Sequence, residues 1–109
     1  MVHHPPYSAV YQGSNEDARR VFVPLFERYG VQLVLSGHDH DYQRSEVING
    51  VTYVVTGAAA GTRRTGEADF TAVSFSWHHF VEVAIWNDRL VLRAVNQDLR
   101  VADEAVIPP

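Results

Sequence analysis

Residues 31–40 read Val31-Gln32-Leu33-Val34-Leu35-Ser36-Gly37-His38-Asp39-His40. The first five residues form an almost unbroken apolar run. A strand with so little polar alternation suits burial on both faces, as in a layered α/β architecture. Gly37 ends the run, and two histidines two positions apart follow it. At a strand end, side chains at i and i+2 share a face, so His38 and His40 are expected to point into one crevice. Imidazole is the commonest metal-binding side chain near neutral pH. The stretch therefore predicts a buried strand whose end carries a candidate metal site.

Upstream, a helix is predicted. Ser14 is its expected N-cap, with Glu16 and Asp17 in the first turn, where they favour the helix dipole. Apolar residues recur at Ala18, Val21, Phe22, Leu25, Phe26 and Tyr29, the spacing of an amphipathic helix. Gly30 suits the position just past its end, and Pro24 inside the pattern predicts a bend. Ahead of the helix, Val2-His3-His4 reads as a strand end, closed by Pro5-Pro6. A right-handed crossover through the helix would make the two strand ends parallel and bring His3, His38 and His40 to one sheet edge.

Downstream, residues 42–48, Asn49-Gly50 and residues 51–56 form a hairpin signal. Residues 57–61, Gly-Ala-Ala-Ala-Gly, read as a small-residue loop, and residues 62–69 are polar. From Val73 the odd positions Val73, Phe75, Trp77, His79, Val81, Val83 and Ile85 predict one long half-buried strand. Asn87-Asp88 turns the chain into a strand over residues 89–95. Residues 96–109 read as a weakly structured tail, within a single domain spanning residues 1–109. His78 and His79 read as strand packing rather than ligands.

The 109 residues suffice for one domain. A formal net charge of −4 argues against nucleic-acid binding, which runs on clustered Lys and Arg, and the pair Arg63-Arg64 is too small to change that. The absence of cysteine excludes disulfides, thiolate zinc sites and cysteine nucleophiles. No run is apolar and long enough to cross a membrane as a helix. Residues 1–6 have neither the basic start nor the apolar core of a signal peptide, and composition leaves the cellular compartment open.

Three quoted stretches share an origin. His3-His4-Pro5-Pro6-Tyr7, then Gly37-His38-Asp39-His40-Asp41-Tyr42-Gln43-Arg44-Ser45, then Tyr53-Val54-Val55-Thr56-Gly57 resemble the calcineurin-like metallophosphoesterases, and within them the purple acid phosphatase-type branch. The resemblance implies the C-terminal half of a layered αββα sandwich, a mixed sheet with closing antiparallel hairpins. It implies a metal-dependent phosphoric ester hydrolase acting on a phosphate-ester substrate. In that family two metal ions, iron, zinc or manganese, clamp the phosphoryl group and activate water.

Position by position, His3 matches a ligand of one metal and His38 joins it there, while His40 matches a ligand of the other. Tyr42 and Arg44 match positions that brace the site, and Tyr7 with its neighbour His4 would line the substrate pocket. The family's bridging carboxylates match nothing in this chain, and no catalytic residue is assigned. Three ligands shared between two metals are too few for a dinuclear centre, so the chain is expected to be a partial domain lacking the carboxylate-bearing half. The alternative is a non-catalytic domain that binds metal weakly and self-associates through an open sheet edge.

Overall fold

The computed structural model describes residues 1–10, 13–59 and 61–108. Tyr11, Gln12, Ala60 and Pro109 lie outside the described residues, and with them parts of the expected loops over residues 7–13 and 57–61 and the last residue of the expected tail. One helix and seven strands follow in order: α1 Glu16–Arg28, β1 Leu33–Ser36, β2 Tyr42–Ser45, β3 Thr52–Thr56, β4 Thr71–Phe75, β5 His79–Ile85, β6 Leu90–Asn96 and β7 Val101–Ile107.

They build three layers. A four-stranded mixed sheet, ordered β1-β3-β2-β4, carries the parallel pair β1/β3 and the antiparallel pairs β2/β3 and β2/β4. A separate antiparallel sheet is ordered β5-β6-β7. Tyr42, Val54, Phe75, Leu92 and Ala94 form the core between the two sheets. On the opposite face of the mixed sheet, Val34, Val51 and Tyr53 pack with Val23 of α1. Alternation along β3 explains the division: Tyr53 faces the helix and Val54 faces the second sheet. The fold is thus α/β, with a mixed sheet and an antiparallel one, as the sequence predicts.

The hairpin between β2 and β3 turns at Asn49 and Gly50, both with positive φ, and Ile48 and Val51 exchange backbone hydrogen bonds of 2.8 and 3.0 Å. This is the geometry that Asn-Gly favours. Gly30 follows α1 with φ 67°, and the Val31 N–H donates to the Phe26 carbonyl at 2.9 Å, closing the helix as a glycine at that position allows.

Four expectations change. The N-cap is Asn15, whose side chain accepts from the Ala18 N–H at 2.8 Å; Ser14 instead accepts from the Ser8 N–H and from Arg19. The apolar stripe of α1 is only partly covered: Val23 is buried, but Val21, Phe22 and Leu25 are 51%, 41% and 45% exposed. The strand expected across residues 73–85 is two strands, β4 and β5, in different sheets, separated by Ser76, Trp77 and His78. The apolar period of two in the sequence runs through the break and so hides the change of sheet, although Trp77 within it is 55% exposed. The tail expected to be weakly structured contains β7, seven residues paired along β6. Its alternating pattern is diluted by Asp103 and Glu104, which are held by arginines rather than by apolar contacts.

Candidate metal centre

The edge of the mixed sheet beyond β1 is extended by the N-terminal segment. Val2 bridges Ser36 in parallel, its N–H donating to the Leu35 carbonyl at 3.0 Å, and the Gly37 N–H donates to the His3 carbonyl at 3.1 Å. These two bonds straddle Ser36 and bring the ends of both segments together, as the helix-linked parallel arrangement predicts. Immediately past the bridge the backbone bends at His3 and His4. Outside a strand, adjacent side chains need not alternate, and here both imidazoles lie on one side. His38 follows Gly37 with φ 66°, a left-handed conformation that few L-residues adopt, histidine more often than most.

The result is a cluster of three imidazoles. Ring centroids are 4.8 Å apart for His3 and His4, 5.2 Å for His3 and His38, and 4.5 Å for His4 and His38. One possible ligand nitrogen from each lies within 4.8 Å of the others. Glu16 and Asp17, at the start of α1, border the same depression as His4 and His38. Their place is fixed by the Asn15 N–H, which donates to the Pro5 carbonyl at 2.9 Å.

His40 is not in this cluster. Residues 38–40 run through bends rather than extended strand, so a turn and not strand alternation sets where the two side chains lie. The two still border one depression with Arg63 and Arg64, whose loop is tied to His40 by the Arg63 N–H donating to its carbonyl at 2.8 Å. Gly57 supports this turn from below. A Cβ there would be driven into the Asp39 carbonyl, so only glycine lets the 37–39 backbone pass.

The neighbouring carboxylates face inward. Ser8 donates its hydroxyl to Asp39 Oδ2 at 2.5 Å; Gln43 Nε2 donates to Ser8 Oγ and to Asp41 Oδ2, both at 3.0 Å; Thr65 donates to Asp41 Oδ2 at 2.7 Å. Asp41 Oδ1 is buried with no hydrogen-bond partner among the described residues. Burial pushes the Asp41 carboxyl above the usual carboxylate range, against the lowering bonds from Thr65 and Gln43.

Tyr42 and Arg44, expected to brace the metal site, reach the second sheet instead. Two residues apart on β2, they share a face, and Tyr42 donates its hydroxyl to Asp103 Oδ2 at 2.6 Å while Arg44 forks onto Asp103 through Nε at 2.7 Å and an NH2 at 3.1 Å. Tyr7, expected at the substrate pocket, is taken up by packing: its ring lies 4.6 Å from Tyr53 and 5.2 Å from Phe70, and the Arg19 guanidinium sits 3.9 Å from its centroid. Asp103 carries no signal in the sequence, because it lies 59 residues from Arg44 in a weakly patterned stretch. Glu16 and Asp17 read as helix-dipole residues, and their spacing from His4 carries no local signal.

Among the described residues, the three imidazoles of His3, His4 and His38, with Glu16 and Asp17 nearby, have the donors to hold one metal ion; His40 lies outside this cluster, and Asp39 and Asp41 are engaged elsewhere.

Residues 1–42 match the family model of the calcineurin-like phosphoesterases. The chain is 38% identical over 60 residues to purple acid phosphatase 1 of Ipomoea batatas, covering 53% of this chain and 13% of that protein. It is 39% identical over 56 residues to tartrate-resistant acid phosphatase type 5 of Homo sapiens, covering 51% of this chain and 17% of that protein. It thus spans less than a fifth of the length of these curated relatives. Among solved structures, GAP50, the anchor in the inner membrane complex of Plasmodium, superposes with a TM-score of 0.90 at 20% identity, covering 97% of this chain and 34% of that one. The purple acid phosphatase PPD1 from yellow lupin seeds superposes with a TM-score of 0.79 at 20% identity, covering 98% and 24%. At such identity the superpositions speak for the fold.

Proposed function

We propose, on the premise that this chain is similar in sequence and fold to the calcineurin-like phosphoesterases of the purple acid phosphatase type, that it serves metal-dependent hydrolysis of phosphate esters. The observation that carries the reading is the meeting of His3 and His38 at one sheet edge from segments 35 positions apart, both within the residues 1–42 that match the calcineurin-like phosphoesterase model. His3 and His38 hold a metal ion, and His40 faces a neighbouring one. A bound metal supplies Lewis acidity toward a phosphoryl oxygen and acidifies water. Arg63 and Arg64, at the rim of the depression that His38 and His40 border, offer planar guanidinium groups that suit a phosphate. Carboxylates beyond those described here complete the ligand set, because Asp39 and Asp41 are turned into the protein.

The test joins this chain to the portion of the Ipomoea batatas enzyme that precedes the matching segment and follows p-nitrophenyl phosphate turnover. Metal-dependent turnover that a chelator abolishes and His38→Ala removes is expected. A joined protein that binds two metals and turns over nothing sinks the reading.

A second reading has its own observation. Val21, Phe22 and Leu25 stand exposed on α1, beside the sheet edge that ends at Val2. An apolar helix face next to an edge with no further strand among the described residues favours a non-catalytic chain that self-associates.

A further inference from the structure

The family resemblance gives His4 no metal role: it places His3 and His38 on one ion and His40 on another. The geometry points to a different set. We propose that His3, His4 and His38 together form a three-histidine site that by itself binds one divalent transition-metal ion of the zinc type, independent of His40.

Three independent features of the chain converge on it. The ligand nitrogens of these three residues lie within 4.8 Å of one another. In tetrahedral coordination with Zn–N bonds of about 2.0–2.1 Å, neighbouring ligand nitrogens sit about 3.4 Å apart. His3 and His4 are exposed, so small rotations about their χ1 and χ2 bring their nitrogens toward His38 without disturbing the core.

The backbone is arranged around the cluster as well. The paired hydrogen bonds Val2 N–H to Leu35 and Gly37 N–H to His3 lock the two segments, and the left-handed turn at His38 aims its ring back at the N-terminal pair rather than along the strand. In the sheet alternation that β1 continues, a His38 with extended backbone would not be directed by this turn.

The surroundings match a dication. Glu16 and Asp17 border the depression that holds His4 and His38, and Asp17 also borders the one that holds His3 and His4. Three neutral imidazoles carry no charge to offset a metal ion, so these two carboxylates supply it from a distance. An all-nitrogen set with an open fourth position suits Zn2+, and likewise Co2+, over the harder ions that prefer oxygen ligands.

The inference stands whether or not phosphate esters are hydrolysed, because it is read by binding alone. The experiment titrates the protein with Zn2+ by calorimetry and with Co2+ by visible absorption. Expected are one ion per chain and an intense d–d absorption of the four-coordinate type. His4→Ala and His4→Gln, both at an exposed position and checked for unchanged far-ultraviolet circular dichroism, should weaken binding by more than about 10-fold, above the lower end of what losing even a ligand-orienting partner costs. His40→Ala and His78→Ala should bind as the parent does. The inference is overturned if the His4 variants bind like the parent, if His40→Ala weakens binding as much as His4→Ala, or if the cobalt spectrum is the weak one of a six-coordinate aquo ion.

Discussion

The imidazole of His79 is held at both nitrogens: Nδ1 lies 2.9 Å from the Trp77 carbonyl and Nε2 lies 2.8 Å from Thr56 Oγ1. A carbonyl only accepts, so Nδ1 carries the proton and the neutral ring accepts from the Thr56 hydroxyl at Nε2. Burial lowers the pKa of His79 below its ordinary value, with the Trp77 carbonyl opposing and His78 adding to the drop. The unfolded chain therefore takes up this proton at higher pH than the folded one. The contribution is fully present above the unfolded value of about 6.5 and is lost as pH falls through the lower folded value. Urea midpoints at about pH 8 and about pH 5 should differ in the parent and differ less in His79→Gln; an identical shift in both would remove His79 as the cause. Other single residues shape the site by backbone alone. Gly57 admits the 37–39 turn, and His38 occupies a left-handed conformation, features that residue type only hints at.

At the level of elements, the two sheets are pinned by one carboxylate. Asp103 on β7 accepts from both Tyr42 and Arg44 on β2. Burial alone would raise the Asp103 carboxyl; the bonds from Arg44 and Tyr42 outweigh it and hold the group below the usual carboxylate range. The pair is largely buried, with side chains 20% and 7% exposed for Arg44 and Asp103. Removing one partner strands the other charge in a dry setting, so Asp103→Ala should cost about 3 kcal/mol. Tyr42→Phe, which loses one hydrogen bond and leaves the ion pair, should cost about 1 kcal/mol. Urea denaturation of the two variants checks the order; equal losses would mean that the ion pair adds nothing beyond the tyrosine bond. The Tyr-x-Arg spacing was legible in the sequence as two residues on one face of a strand. Their partner was not, because pairing across 59 residues depends on how the second sheet stacks.

For the whole molecule, the layers are unevenly covered. The mixed sheet is packed on both faces, yet α1 turns Phe22 and Leu25 to solvent. Such a face beside an open edge is expected to drive self-association at high concentration. Sedimentation velocity should show concentration-dependent oligomers, and Phe22→Asp should reduce them. A parent chain that stays monomeric would count against the non-catalytic, self-associating reading.

Local chemistry alone determined a good part of this protein. The Asn49-Gly50 turn, the helix with its glycine stop, the buried strand ahead of Gly37 and the parallel approach of Val2 to Ser36 all follow from residue types and spacings within about 35 positions. Short-range rules decide such features, since each needs only a turn preference, a period or a connection length. Tertiary structure alone decided three others. It split residues 71–85 between two sheets, because the apolar period of two in the sequence continues across the break and carries no mark of it. It turned residues 96–109 into a paired strand, because β6 supplies the partner. It also brought His4 to the pair of His3 and His38, because bends at residues 3–4 and 38–40, not strand alternation, set where those rings lie.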